Sequence, residues 1–391
     1  MIKLGLLPKL ILAIVLGILI GSFAPVQIIG IFATFNAIFG KFLGFSIPLI
    51  IIGFVAPGIG ELGTGAGRLL AVTAGIAYFS TIFSGTIAYF TSSIVLPNVL
   101  QVGQMAIDAA NPEEALVEPF FRIDMPPIMA VMSALLIAFV LGLGIAVTQG
   151  NTIRNFMNEF QGIIEKLITN IIIPLLPYHI FGIFANMTYA GQVATIMSVF
   201  ARVFVMIILL HITIIVLQYI IGAAVAGGNP FRLLKNMLPA YFTAIGTQSS
   251  AATIPVTLKQ TKVNGIQDGV ADFVVPLCAT IHLSGSTITL VSCAMAVMML
   301  NGMTTTFSSV FPFILMLGIT MVAAPGVPGG AIMAALGLLE TMLNFSPTLT
   351  SLMIALYLAQ DSFGTAANVT GDGAIALVVN RISGHRLTNL H

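Results

Sequence analysis

The chain has 391 residues, 58% of them hydrophobic and only 7% charged, with a net charge of +1. Soluble domains carry about 25% charged residues, so this composition specifies a polytopic membrane protein. The near-neutral balance excludes nucleic-acid binding through phosphate neutralisation.

The start, MIKLGLLPKLILAIVLGILIGSFAP, looks like a signal peptide, but its apolar run is too long and further spans follow at once. It reads as an uncleaved first helix. Runs of about 20 apolar residues place spans near 8–30, 36–57, 70–97, 126–148, 166–188 and 193–226. The linker GGNPFRLLKN follows at 227–236. From Phe273 to Leu339 there is no Asp, Glu, Lys or Arg, yet Gly, Pro, Ser and Thr recur throughout. Smooth membrane helices do not read this way.

Charge placement sets an orientation. Lys3, Lys9, Arg154, Lys166, Arg232, Lys235, Arg381 and Arg386 fall on one side, while 101–124 carries Asp108, Glu113, Glu114, Glu118 and Asp124 against one Arg. The positive-inside rule puts both termini in the cytoplasm and the acidic segment outside. Lys41 and Arg202 lie in or beside spans and must snorkel or pair.

Two stretches of the last third read as re-entrant hairpins. One has arms of about a dozen residues around the tip Thr247-Gln248-Ser249-Ser250; the other is centred on AAPGVPGGA at 323–331. Irregular backbone at membrane depth is tolerated only where protein or water satisfies it. Each hairpin is followed by a helix with a polar interruption, HLSGS at 282–286 and NVTGD at 368–372. Paired units of this kind signal an internal repeat around a transporter's binding site.

In the last helix Asp361, Thr365, Asn368 and Asp372 follow i, i+4, i+7, i+11 spacing and form one polar stripe roughly 16 Å long. Thr and Asn alone would fit a structural stripe. A charge at the bilayer centre costs at least about 2.5 kcal/mol. Lys262, near a hairpin foot, is the only Lys or Arg between 260 and 380. The natural partners are therefore cations from outside the chain. Cys278 and Cys293 lack CxxC spacing and read as buried structural thiols. No HExxH, GxSxG or supported Cys–His pair points to an enzyme.

SSAATIPVT at 249–257, GVPGGAIM at 326–333 and DSFGTAANVTGD at 361–372 resemble the dicarboxylate/amino acid:cation symporter family, the glutamate transporter homologues. The resemblance covers the whole chain and is most specific across 240–382. It implies an all-α polytopic fold with eight transmembrane helices, two re-entrant helical hairpins and inverted repeats, assembled as a homotrimer in the cell membrane. It divides the chain into 1–70 (first two helices, scaffold), 71–125 (third helix and extracellular loop), 126–226 (helices four to six) and 227–391. The last part is the transport core, with hairpin one at 229–262, helix seven at 270–300, hairpin two at 305–343 and helix eight at 347–380. A mobile transport domain would carry substrate past the scaffold by an elevator-like displacement, coupled to sodium, with no cofactor or transition metal.

Position by position, the resemblance gives Asp361 and Thr365 the substrate ammonium, and Asn368 the α-carboxylate together with the amide of Ser250. Gln248, Ser249, Ser286, Val327, Gly329 and Gly364 complete the substrate site. Asp372 would bind sodium with the carbonyls of Cys278, His282 and Asn368. A second cation site would use Thr280 with the carbonyls of Met321, Val322 and Ala324.

Departures from the family pattern point to the substrate. Acidic-substrate members have an arginine one residue before the position of Thr365, where this chain has Gly364; the alternative arginine position is Gln248, and the aspartate that orients the arginine is Tyr357. A buried acidic side chain would lack a cation, so a small neutral amino acid such as serine, threonine, alanine or cysteine is expected, with Ser286 and Gln248 facing a hydroxyl. The NMDGT motif of helix seven is His282-Leu283-Ser284-Gly285-Ser286 here. Another sodium site thus loses a carboxylate at Ser284, and its third-helix ligands fall at Tyr78, Thr81 and Ile82. Fewer coupled sodium ions are expected, while His282 admits a proton-coupled alternative. His179 and His211 read as ordinary membrane histidines.

Overall fold

The computed structural model describes residues 6–62, 67–100, 116–148, 151–191, 193–322, 324 and 328–384. Every regular element among them is a helix. In chain order these are α1 (Leu6–Phe23), α2 (Val26–Leu62), α3 (Gly67–Val99), α4 (Val131–Thr148), α5 (Asn151–Leu167), α6 (Ile173–Tyr189) and α7 (Val193–Ala226). There follow α8 (Pro230–Asn236), α9 (Leu238–Thr247), α10 (Ser250–Val263), α11 (Asp268–Ile281), α12 (Ser284–Leu300), α13 (Phe307–Met321), α14 (Gly330–Met342), α15 (Pro347–Leu358) and α16 (Asp361–Ile382).

Local chemistry accounts for the punctuation. Pro25 cannot continue α1, so the first span stops at Phe23 and the second starts at Val26, earlier than apolar run lengths suggest. The Asn229 side chain accepts from Phe231 N and Arg232 N to open α8. Ser249 caps α10 by accepting from Ala252 N, and Ser346 caps α15 by accepting from Leu349 N. The expected fifth span at 166–188 begins instead at Asn151, because α5 runs into α6 through a π turn, Ile168–Ile172. There Ile173 N–H donates to Ile168 O, which accommodates Pro174 and Pro177 in the turns that follow.

By length and composition, five stretches among the described residues can cross a membrane: Val26–Pro57, Leu69–Val99, Asn151–Tyr189, Phe200–Ala226 and Asp268–Leu300. Leu12, Val15 and Leu19 of α1 and Leu136, Val140 and Leu143 of α4 are exposed. A band of large apolar side chains on this scale faces lipid rather than water. This is a multi-pass membrane protein.

The helices form two groups. In the first, α2 packs on α4 and α6, and α1 on α6. In the second, α12 and α16 cross at the centre; α3 covers α12, while α7, α9 and α11 cover α16. Every residue of α12 is buried, and α16 is buried along almost its whole length. The groups meet where α14 packs on α2 and α15 on α6.

The α12–α16 crossing is close because it has no side chain at two points. A Cβ on Gly285 would lie 2.4 Å from Gly364 O and 2.6 Å from Ala367 Cβ, whereas one on Gly364 would meet Ser286 backbone at an ordinary 3.5 Å. Gly285→Ala is therefore expected to destabilise the protein by about 2–3 kcal/mol, and Gly364→Ala by much less. Thermal unfolding in detergent checks the contrast; equal melting of the two variants would contradict this packing.

Helix seven is interrupted at His282-Leu283, between α11 and α12, where HLSGS places it. Helix eight is not interrupted at 368–372. α16 runs unbroken through NVTGD, and the break lies at Ala359-Gln360, where Gln360 N turns back to Tyr357 O. Hydroxyl and amide groups inside α16 find partners without opening the helix: Thr370 Oγ1 donates to Ala366 O. Hence polarity alone misplaced the interruption.

Candidate functional site

The displaced break puts Asp361 in the first turn of α16. The peptide dipoles at a helix N-terminus favour a carboxylate there. Asp361 is 5% exposed, and its Oδ2 accepts a 2.7 Å hydrogen bond from Gly329 N. Gly329 ends the turn between α13 and α14, where its φ of +76° suits glycine. Val327, expected in the same tip, lies outside the described residues.

Asp361, Thr365, Asn368 and Asp372 are all buried along α16, as the stripe requires. Asn368 Oδ1 accepts from Gly285 N at 2.8 Å and Ser286 N at 3.3 Å, and its Nδ2 donates to Ser286 Oγ at 2.9 Å. The amide thus stitches α16 to the first turn of α12. On the other side of that turn, His211 of α7 places Nε2 3.0 Å from Gly285 O and 3.2 Å from Thr289 Oγ1.

At the opposing tip, Gln248 holds φ +54°, a left-handed backbone that a non-glycine residue rarely adopts, and its N–H donates to Ala244 O. Gln248 and Ser250 are buried, and Ser249 is spent on the cap of α10. Strain of this kind at a buried polar tip marks a functional segment.

Asp372 has an internal partner that the sequence did not disclose. His282 Nδ1 lies 2.9 Å from Asp372 Oδ1, with both side chains buried. Behind the ring, Ser80 Oγ is 3.0 Å from His282 Nε2, and Gln218 Nε2 donates to Ser80 Oγ at 3.0 Å and to Ser284 Oγ at 3.2 Å. These donors form a directed chain: Gln218 to Ser80, Ser80 to His282, and His282 to Asp372. Space for it exists only because residue 371 is glycine, since a Cβ there would meet Gln218 Oε1 at 2.6 Å and His282 Cε1 at 2.7 Å. Asp372 Oδ2, by contrast, is buried with no hydrogen-bond partner. One carboxylate oxygen is satisfied and the other is free to take a cation.

Other expected ligands are less well gathered. Thr280 is exposed and donates to Leu277 O, and among the described residues no hydrogen bond joins it to Met321, Val322 or Ala324. Cys278 O accepts from His282 N, and Met321 O from Ala324 N. On α3 it is Ser80 that reaches His282, while Tyr78 and Ile82 pack on Gly318. Lys262 is held by Asp272 at 2.8 Å and Asp268 at 3.6 Å, so it serves neither Asp361 nor Asp372. Lys41 pairs with Asp124 at 3.8 Å, and Arg202 donates to Val99 O. Ser80 and Gln218 went unassigned in the sequence, although polar residues on otherwise apolar membrane helices are a signal in themselves, while His211, read as an ordinary membrane histidine, braces the first turn of α12.

A model of the sodium:dicarboxylate symporter family matches residues 6–382. The chain belongs to that family. Among its relatives is the serine/threonine transporter SstT of Acinetobacter baumannii (strain AYE), 24% identical over 396 residues and aligned over 95% of both chains. The excitatory amino acid transporter 2 of Mus musculus is 28% identical over 271 residues, 65% of this chain and 46% of that one. The excitatory amino acid transporter of Caenorhabditis elegans is 27% identical over 255 residues, 63% of this chain and 50% of that one. As a sodium:dicarboxylate symporter family member, the protein is a transporter and not an enzyme.

Proposed function

We propose that this symporter carries a small neutral amino acid, serine or threonine first, into the cell together with sodium. The observation that carries this reading is that, among the described residues, no Lys or Arg pairs with Asp361. Gly364 faces the Ser286 backbone, Tyr357 is fully buried next to it, and Gln248 occupies the opposing tip. An acidic side chain entering here would be buried without a partner, a cost of several kcal/mol. Similarity over nearly full length to a serine/threonine transporter supports the same choice.

In this reading Asp361 and Thr365 take the ammonium. The α-carboxylate lies against the Ser250 end of α10 and the Asn368–Ser286 stitch, where N–H and O–H donors converge. Gly329 closes over Asp361 as part of the outer gate. Asp372 Oδ2 takes sodium with nearby backbone carbonyls, and Thr280 with 321–324 could contribute only after rearrangement. With Ser284 in place of a carboxylate, fewer sodium ions accompany each substrate.

The proposal extends to architecture: eight spanning helices and two re-entrant hairpins, α9–α10 and α13–α14, with both termini cytoplasmic. Helices α1, α2, α4 and α6 form the scaffold, and the α12–α16 group moves as an elevator. A homotrimer is supported by the non-helical stretch at 116–130, which follows α2 through the bonds of Phe120 N to Thr34 Oγ1 and of Lys41 to Asp124. Phe120, Phe121, Ile123 and Ile128 are exposed along it. An exposed apolar run of this kind offers a contact surface to a second copy of the chain.

Uptake into proteoliposomes tests the substrate. Radiolabelled serine is expected to accumulate under an inward sodium gradient, and not under a proton gradient alone. Aspartate uptake that excess serine leaves unchanged would refute the reading.

A further inference from the structure

Among the buried polar groups around Asp361 that the proposed function leaves unused are Gln360 Oε1, Ser362 Oγ and the Tyr357 hydroxyl, and the last is the one beside the carboxylate. Tyr357, the penultimate residue of α15, stands four positions before Asp361 across the break and is 0% exposed. Its hydroxyl lies beside the Asp361 carboxylate and the Ser286 side chain but makes no hydrogen bond of sound geometry with either. Buried hydroxyls nearly always have partners. An unpaired one facing a binding carboxylate points to a partner supplied by the ligand.

Ser286 adds a second contact at the same place. Its Oγ accepts from Asn368 Nδ2 at 2.9 Å, which leaves its own O–H proton to donate elsewhere. Gly364 puts no side chain beside them; a Cβ there would lie 3.5 Å from Ser286 N and Cα, at ordinary contact distance. A phenol that can both donate and accept and a serine hydroxyl with a proton to give therefore converge beside the carboxylate that receives the ammonium. A hydroxyl on the β-carbon of an amino acid, two bonds from its ammonium-bearing carbon, matches both groups: it accepts from Ser286 and donates to Tyr357 Oη.

We infer that Tyr357 is a specificity-determining residue that reads the β-hydroxyl of the substrate, so that the site selects hydroxylated amino acids over their aliphatic analogues. This rests on the neutral-amino-acid reading above and narrows it. Sites built to hydrogen-bond a substrate hydroxyl reject the analogue lacking it strongly, because the site's own polar groups are then left unpaired. Alanine and 2-aminobutyrate are thus poor ligands, for lack of the group that Tyr357 awaits.

The test measures binding of serine, threonine, alanine, 2-aminobutyrate and aspartate to purified protein in sodium by calorimetry. Wild-type protein is expected to bind serine at least about tenfold more tightly than alanine. Tyr357→Phe should weaken serine about 10- to 100-fold and alanine less than about threefold, which corresponds to losing one hydrogen bond to a buried group. A purely structural role would weaken both ligands alike, and that result overturns the inference. Should Tyr357→Phe not fold, Ser286→Ala is measured the same way: loss of the Asn368 contact weakens both ligands, and serine is expected to lose about tenfold more than alanine; equal losses overturn it. Equal serine and alanine affinity in wild type overturns it with no variant at all. Aspartate binding without serine or alanine binding overturns the neutral-substrate reading itself, and is seen in wild type before any variant is made.

Discussion

Asp361→Asn is expected to lower serine uptake roughly 150-fold, the equivalent of about 3 kcal/mol for truncating one side of a buried charged contact. The substitution is nearly isosteric, and an amide oxygen can still accept from Gly329 N, so the hydrogen bond that draws the α13–α14 turn over the site survives. What disappears is the negative charge at the N-terminus of α16, the one group there able to balance an ammonium. Binding should fall with uptake, while melting temperature stays near that of the wild type. Uptake within about twofold of wild type would place the ammonium elsewhere.

His282→Leu should cost about 3–5 kcal/mol of stability, because it leaves the Asp372 carboxylate buried without its donor. The loss spreads further, since Ser80 and Gln218 then aim at an apolar side chain. A cation at Asp372 could take over part of the role of the ring. The variant should therefore gain more from sodium than the wild type does, by the linkage between ligand concentration and stability. Thermal unfolding in sodium and in choline measures both effects. Unchanged melting in choline would mean that the ring does not support Asp372.

Much of this site could be read from letters alone. The spacing of Asp361, Thr365, Asn368 and Asp372 gives a single helix face, and α16 delivers it. The Gly-rich and hydroxyl-rich tips at 247–250 and around 329 locate the turns correctly because such residues have few other uses inside a membrane. Contacts between distant residues were not legible. His282 and Asp372 stand 90 positions apart and Ser80 and His282 202, and no periodicity links them. The break in helix eight was misplaced for a different reason. Asn368-Val369-Thr370-Gly371-Asp372 looks like an interruption, yet Asn368, Thr370 and one oxygen of Asp372 find partners in α12, in the helix itself and in His282, so the backbone has no need to open. Ala359-Gln360, where it does open, carries no conspicuous signal.

The complete burial of α12 bears on how the molecule is made. Asp268–Leu300 is apolar enough to enter a bilayer as it emerges from synthesis, yet in the finished protein its second half, α12, is buried throughout. Ser284 already meets Gln218 of α7, but the N–H groups of Gly285 and Ser286 and the Ser286 hydroxyl wait for Asn368 of α16. α16 is the last of the described helices. Maturation of the core must therefore wait for α16 to be made. A nascent chain stopped before Asp361 would expose a polar seam within the bilayer, the kind of lesion that membrane quality control removes.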